Sequence, residues 1–159
     1  MKYLIINFSF LLTFISFSKE IILKIEGSGR GKEYEVMQFE NNSKVALYKT
    51  EGNFKTDLDL YGSTDCLGVF KKINNAADLD LTCDFIDQNN NKMWANIIRK
   101  TKDIDAGIGR MFIIGGTGAW QYLKGTACKY AVTINKSIWF TSTICKVKED
   151  NFKKFKDNL

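Results

Sequence analysis

The chain of 159 residues contains no histidine and no proline. Without an imidazole there is no Ser-His-Asp or Cys-His catalytic pair, no His-ligated zinc or haem, and no imidazole general base. Arginine is scarce as well. Arg30, Arg99 and Arg110 stand beside 20 lysines, so the formal charge of +5 rests on scattered Lys side chains. Nucleic-acid readers lean on Arg for bidentate contacts, so the excess reads as a solvated surface and no nucleic-acid partner is expected. Also absent are a C-x-x-C redox pair, a phosphate loop of G-x-x-x-x-G-K-[ST] spacing, a calcium loop with its central Gly and closing Glu, and any internal repeat. No cofactor and no metal is expected. The length is that of one domain.

What is present begins with an apolar leader. Met1-Lys2 gives a short positive start, and Tyr3–Phe17 is almost wholly apolar. Ser16 and Ser18 then place small residues at the −3 and −1 positions before Lys19. This pattern predicts a cleaved signal peptide over residues 1–18 and a secreted or periplasmic chain starting at Lys19. The run is shorter than the roughly 20 residues a membrane span needs. Later apolar runs such as Met111–Ile114 are shorter still, so no transmembrane segment is expected after cleavage.

Cys66, Cys83, Cys128 and Cys145 all lie beyond the leader, where an even count suggests disulfides with three possible connectivities. Spacing selects among them. Cys66–Cys83 and Cys128–Cys145 are each 17 residues apart, and each pair brackets a turn-like stretch, Asn74-Asn75 and Asn135-Lys136-Ser137. Setting Cys128 opposite Cys145 puts Tyr130 opposite Thr143, Val132 opposite Thr141 and Ile134 opposite Trp139. Those are good cross-strand partners around a loop at 135–138.

The rest reads as short strands with turn residues between them: 21–25, 34–39, 45–48, 56–61, 66–70, 78–85, 93–98, 110–114, 128–134 and 138–145. Gly27-Ser28-Gly29 reads as the stop after the first, and Asn41-Asn42 as the stop after the second. Nine or ten short strands and no long 3.6-period segment predict an all-β barrel or sandwich. Asp57 and Asp59 fall on one face of an alternating strand, and Asp78, Asp80 and Asp84 on one face of another. Inward they could act as acids or grip a cation; outward they are the solvated side of a sheet with a Leu core. Asp87-Gln88-Asn89-Asn90-Asn91 reads as a hairpin turn. The tail 149–159 is charged and reads as frayed or weakly helical.

The most specific stretch is Ile113-Ile114-Gly115-Gly116-Thr117-Gly118-Ala119-Trp120-Gln121-Tyr122-Leu123-Lys124-Gly125. Its glycines allow a sharp turn out of a strand. One helical turn would then bury Trp120 and Leu123, with Gly125 opening the next strand. Gly115, Gly116, Gly118, Trp120 and Gly125 are thus candidate structural residues, closing one barrel end. The competing reading makes the same loop a ligand lid with Trp120 exposed.

This stretch resembles the GGTG-aromatic-x-x-x-x-G signature of the allene oxide cyclase and dirigent-like β-barrel superfamily, which includes uncharacterised bacterial secreted proteins. The resemblance implies a single antiparallel, calycin-like barrel of about eight strands with a central cavity. Residues 19–148 would form the barrel and 149–159 a tail. The family often continues with G-x-G-x-Y, whereas here Gly125-Thr126-Ala127 replaces the second Gly and Tyr130 is displaced. No enzyme position matches by motif, so no catalytic residue is carried over. Two functions follow: an exported, disulfide-stapled barrel that binds a small apolar or amphipathic molecule or a partner, or a cofactor-free cyclase or dirigent-like enzyme working in the cavity. The state of the lumen separates an open site from a packed structural module.

Overall fold

The computed structural model describes residues 19–74 and 76–159; the expected signal segment, 1–18, lies outside the described residues. Eight antiparallel strands close into a barrel in chain order: β1 (Glu20–Gln38), β2 (Lys44–Thr56), β3 (Tyr61–Ile73), β4 (Ala76–Asp87), β5 (Lys92–Thr101), β6 (Ala106–Gly116), β7 (Ala127–Asn135) and β8 (Ile138–Lys148). Closure is by β8 on β1, from Glu20↔Lys148 to Arg30↔Ile138. A closed sheet has no exposed edge to pair with another chain. Among the described residues one α-helix, α1 (Glu149–Asp157), follows β8.

The strands are fewer and longer than the turn residues suggested. Ile21–Ile25 and Tyr34–Phe39 belong to one strand, and Gly27-Ser28-Gly29 does not end it. A Cβ at Gly29 would lie 2.5 Å from a Trp139 ring carbon, and one at Gly31 would lie 2.0 Å from the Tyr48 hydroxyl. These glycines make room inside the barrel for aromatic side chains and do not punctuate the chain.

Thr56–Tyr61 is the second departure. Asp57–Leu60 forms the turn between β2 and β3, not a strand. The Thr56 hydroxyl accepts hydrogen bonds from the Leu58 and Leu60 amides, both at 3.2 Å. Asp59 has φ 58°, and Leu60 folds into the core beneath the barrel. The Asp-Leu-Asp-Leu alternation satisfies a strand pattern, but the local hydroxyl bonds favour a turn. Asp57 and Asp59 are exposed. On β4 the alternation is real. Leu81, Cys83 and Phe85 are buried inside, while Asp78 and Asp84 sit outside with Lys100 and Lys92 at 3.3 and 3.0 Å. That aspartate face is the solvated one.

Strand direction sorts the connections into two ends. One end holds the turns 57–60 and 88–91, the two-turn 3-10 helix Gly118–Leu123, and α1. It is filled by Phe54, Phe85, Trp120, Leu123 and Phe155. The tail is not frayed. Phe155 is fully buried, its ring centroid 5.1 Å from that of Trp120, and Phe152 packs beside it. The i, i+3 spacing puts both rings on one helix face, and burying such a side chain contributes about 1.5–3 kcal/mol. The other end carries the connections 39–43, 102–105 and the turn at Lys136 and Ser137.

Both disulfides lie inside the barrel on opposite walls. Cys66 is bonded to Cys83 across β3 and β4, and Cys128 to Cys145 across β7 and β8. The β7–β8 register pairs Tyr130 with Thr143, Val132 with Thr141 and Ile134 with Trp139. The loop is shorter than expected, since strand pairing runs to Asn135↔Ile138. Only Lys136 (φ 49°) and Ser137 (φ 68°) remain in the turn.

Candidate functional site: the open half of the lumen

The motif residues build the closed end. Gly118 has φ +54° and Gly125 φ +85°, conformations that a Cβ disfavours. Gly115 and Gly116 have ordinary φ, but a Cβ on Gly116 would lie 2.7 Å from both the Lys92 carbonyl and the Trp120 Cβ. Thr117 ties the loop down, its hydroxyl accepting from the Lys92 amide at 2.8 Å. Trp120 is 1% exposed and donates its indole N–H to Asp87 at 2.8 Å. Asp87 in turn accepts the Asn89 and Asn91 amides, at 2.8 and 2.9 Å. The 87–91 segment is therefore a side-chain-capped hairpin turn. Among the described residues, no group of three or more His, Cys, Asp or Glu side chains is placed to hold a metal ion.

Above this floor the lumen opens into a cavity of about 440 Å³, within the range of small-molecule sites. Its wall is mostly apolar, with Phe70, Leu79, Leu81, Ile97, Val132 and Ile134 prominent. Into it project Arg99 from β5, Tyr48 and Thr50 from β2, Tyr130 from β7 and Trp139 from β8. Of the expected site residues only Cys66 lines it, and the glycine motif does not reach it.

The polar groups here are the unusual feature. Arg99 is 4% exposed, and its Nη2 donates to the Ile104 carbonyl at 3.2 Å. Its Nη1 is buried without a hydrogen-bond partner in the protein, as are the Tyr130 hydroxyl and the Trp139 indole N–H. Glu33, the acid at the rim, is engaged by Lys44 at 2.5 Å. Burial pushes the Tyr130 phenol up to about 12, against the opposing pull of nearby Arg99. Burial also raises Tyr48, helped by Glu33 and opposed by Arg99. At neutral pH both phenols are neutral, and the interior charge is one guanidinium.

The aromatic rings rest on glycines. Besides Gly29, a Cβ on Gly52 would lie 2.6 Å from a Trp139 ring carbon, and one on Gly109 would lie 2.4 Å from the Tyr130 ring. Because the rings occupy space where these positions have no side chain, the centre stays open. Sequence reading missed Arg99, Tyr48, Tyr130 and Trp139 as a group. One signal was available. The alternation Met93, Ala95, Ile97 continues to Arg99, one residue beyond the expected strand 93–98, and places a cation on an apolar inward face.

A search of protein-family models and one of curated proteins each found no match. Among solved structures, a pterocarpan synthase dirigent protein matches with TM-score 0.50 and 13% identity over 89% of this chain and 97% of that one. The closed eight-stranded antiparallel barrel is therefore dirigent-like in fold. Identity this low carries architecture alone, and function rests on the site.

Proposed function

We propose that this chain is an exported β-barrel protein that binds a small molecule in the open half of its lumen. The observation that carries this reading is the combination of one closed barrel end with a half-open, apolar cavity of about 440 Å³ into which unpartnered polar groups project. A structural module has no use for such groups, because burying an unbonded polar atom costs about 1–3 kcal/mol. A ligand that bonds them recovers that cost. Two disulfides and the apolar leader support export, since such bonds persist in oxidising compartments.

Native mass spectrometry of protein purified from its own host tests the reading, together with titration of the neutral fluorophore phenylnaphthylamine. The expected result is a retained molecule released on denaturation and a saturable, displaceable fluorescence signal. A bare mass together with no saturable signal would make the barrel a structural or interaction module.

The likeness to a dirigent protein also supports a second reading, in which the same cavity guides a cofactor-free cyclisation. Conversion of a retained molecule to an isomer of equal mass would favour it.

A further inference from the structure

We propose that the lumen is a carboxylate site in which Arg99 seats the head group of a compact aromatic acid and the rings of Tyr48, Tyr130 and Trp139 hold its body. This rests on the lumen being a ligand site and adds the ligand's chemical class.

The first argument is charge. A guanidinium taken out of water needs a counter-charge or a full set of acceptors. Arg99 has one acceptor, the Ile104 carbonyl, and its Nη1 has none. No carboxylate of the described residues forms an ion pair with it, and the rim acid Glu33 is bonded to Lys44. The site therefore holds a net positive charge in a mostly apolar wall. A cation or an uncharged oil would leave that charge uncompensated. A carboxylate accepts from the free Nη1 in the charge-assisted geometry that Arg favours.

The second argument is shape. β5, which carries Arg99, stands four strands around the barrel from β1, on whose glycines the Trp139 ring lies. Tyr48 lies over Gly31, also on β1. A ligand anchored on Arg99 meets aromatic side chains across the lumen, which favours an aromatic partner. The Trp139 N–H and the neutral Tyr130 hydroxyl remain as donors for its oxygen substituents.

The test is competition against bound phenylnaphthylamine using cinnamate, its neutral isostere cinnamamide, and the long-chain acid laurate, each with the wild-type chain, Arg99→Leu and Arg99→Lys. A hydrogen bond to a charged group predicts that cinnamate displaces the probe about tenfold to a hundredfold more tightly than cinnamamide. Arg99→Leu should abolish that preference while still binding phenylnaphthylamine, and Arg99→Lys should retain part of it. Urea midpoints establish that each variant folds, and the wild-type comparison stands even if one does not. Equal displacement by cinnamate and cinnamamide overturns the carboxylate site but leaves the lumen reading intact. An acid preference that survives in Arg99→Leu removes Arg99 from the site. Laurate displacing as well as cinnamate overturns the aromatic body. Failure of the wild-type chain to bind phenylnaphthylamine overturns the lumen reading along with this one.

Discussion

The indole N–H of Trp120 and the carboxylate of Asp87 meet at 2.8 Å beneath the barrel, linking the glycine loop to the β4–β5 turn. Trp120 also packs between Phe54 and Phe155, with ring centroids at 6.1 and 5.1 Å. The contact is both apolar filling and a satisfied buried hydrogen bond. Trp120→Ala should therefore cost about 3–5 kcal/mol, read as a lowered urea midpoint without ligand. Asp87→Ala orphans the indole and two turn amides and should cost about 1–3 kcal/mol. A wild-type midpoint for Trp120→Ala would show that the floor does not depend on it and would return the loop to the role of a lid.

Each disulfide should stabilise its hairpin independently. On the chain-entropy view a loop of this length is worth about 3 kcal/mol. The Cys66→Ala/Cys83→Ala and Cys128→Ala/Cys145→Ala pairs should each lower stability by about that amount, and nearly additively, since the two bridges lie on opposite walls. Non-reducing peptide mapping should recover only the 66–83 and 128–145 linkages. A 66–128 or 83–145 peptide contradicts the register.

Two glycines separate lumen space from backbone space. At Gly31 an added Cβ meets only the end of the Tyr48 side chain, whereas at Gly68 it lies 1.9 Å from the Asp80 carbonyl. Gly31→Ala should fold with a near-normal urea midpoint and lose affinity for the lumen probe, because Tyr48 is pushed into the cavity. Gly68→Ala should instead unfold at lower urea, because strands β3 and β4 must separate. Undiminished probe affinity in Gly31→Ala would contradict the packing of Tyr48 on that glycine.

Stability should fall at high pH through the lumen phenols. Tyr130 is raised by burial from 10.0 to about 12. A raised pKa stabilises the fold fully below pH 10.0, and the contribution is lost as pH climbs from there through about 12. Tyr48 acts in the same direction. Ultraviolet titration of tyrosinate should show a late-ionising class, and Tyr130→Phe should flatten the alkaline fall in urea midpoint. A titration in which every tyrosine ionises near its free value would rule out a buried Tyr130.

Exported protein should begin at Lys19. Intact mass decides this directly, and a mass that includes residues 1–18 would rule out cleavage at Ser18.

Residues near one another in the sequence were the legible ones. The equal cysteine separations bracket two hairpins, and a hairpin's register follows from its turn, so pairing and facing could be worked out by counting. Trp120 and Leu123 share a face because three residues make nearly one helical turn. Period-two alternation also marked the inner and outer faces of β4. Where local chemistry competed with that period, as at Thr56–Leu60, alternation alone misread a turn as a strand. Only closure of the barrel decided the rest. β8 pairing with β1 sets Trp139 over Gly27, Gly29 and Gly52, on two strands far from it in sequence. The same closure puts Arg99 inside a lumen where no carboxylate of the described residues pairs with it, Glu33 at the rim being held by Lys44. The charged tail became a docked helix because Phe155, its one buried side chain, found Trp120 across the barrel floor. Non-local contacts leave no periodic trace in the chain. Sequence alone therefore determined the staples, the strand faces and the floor turn, and tertiary closure decided which side chains meet in the cavity.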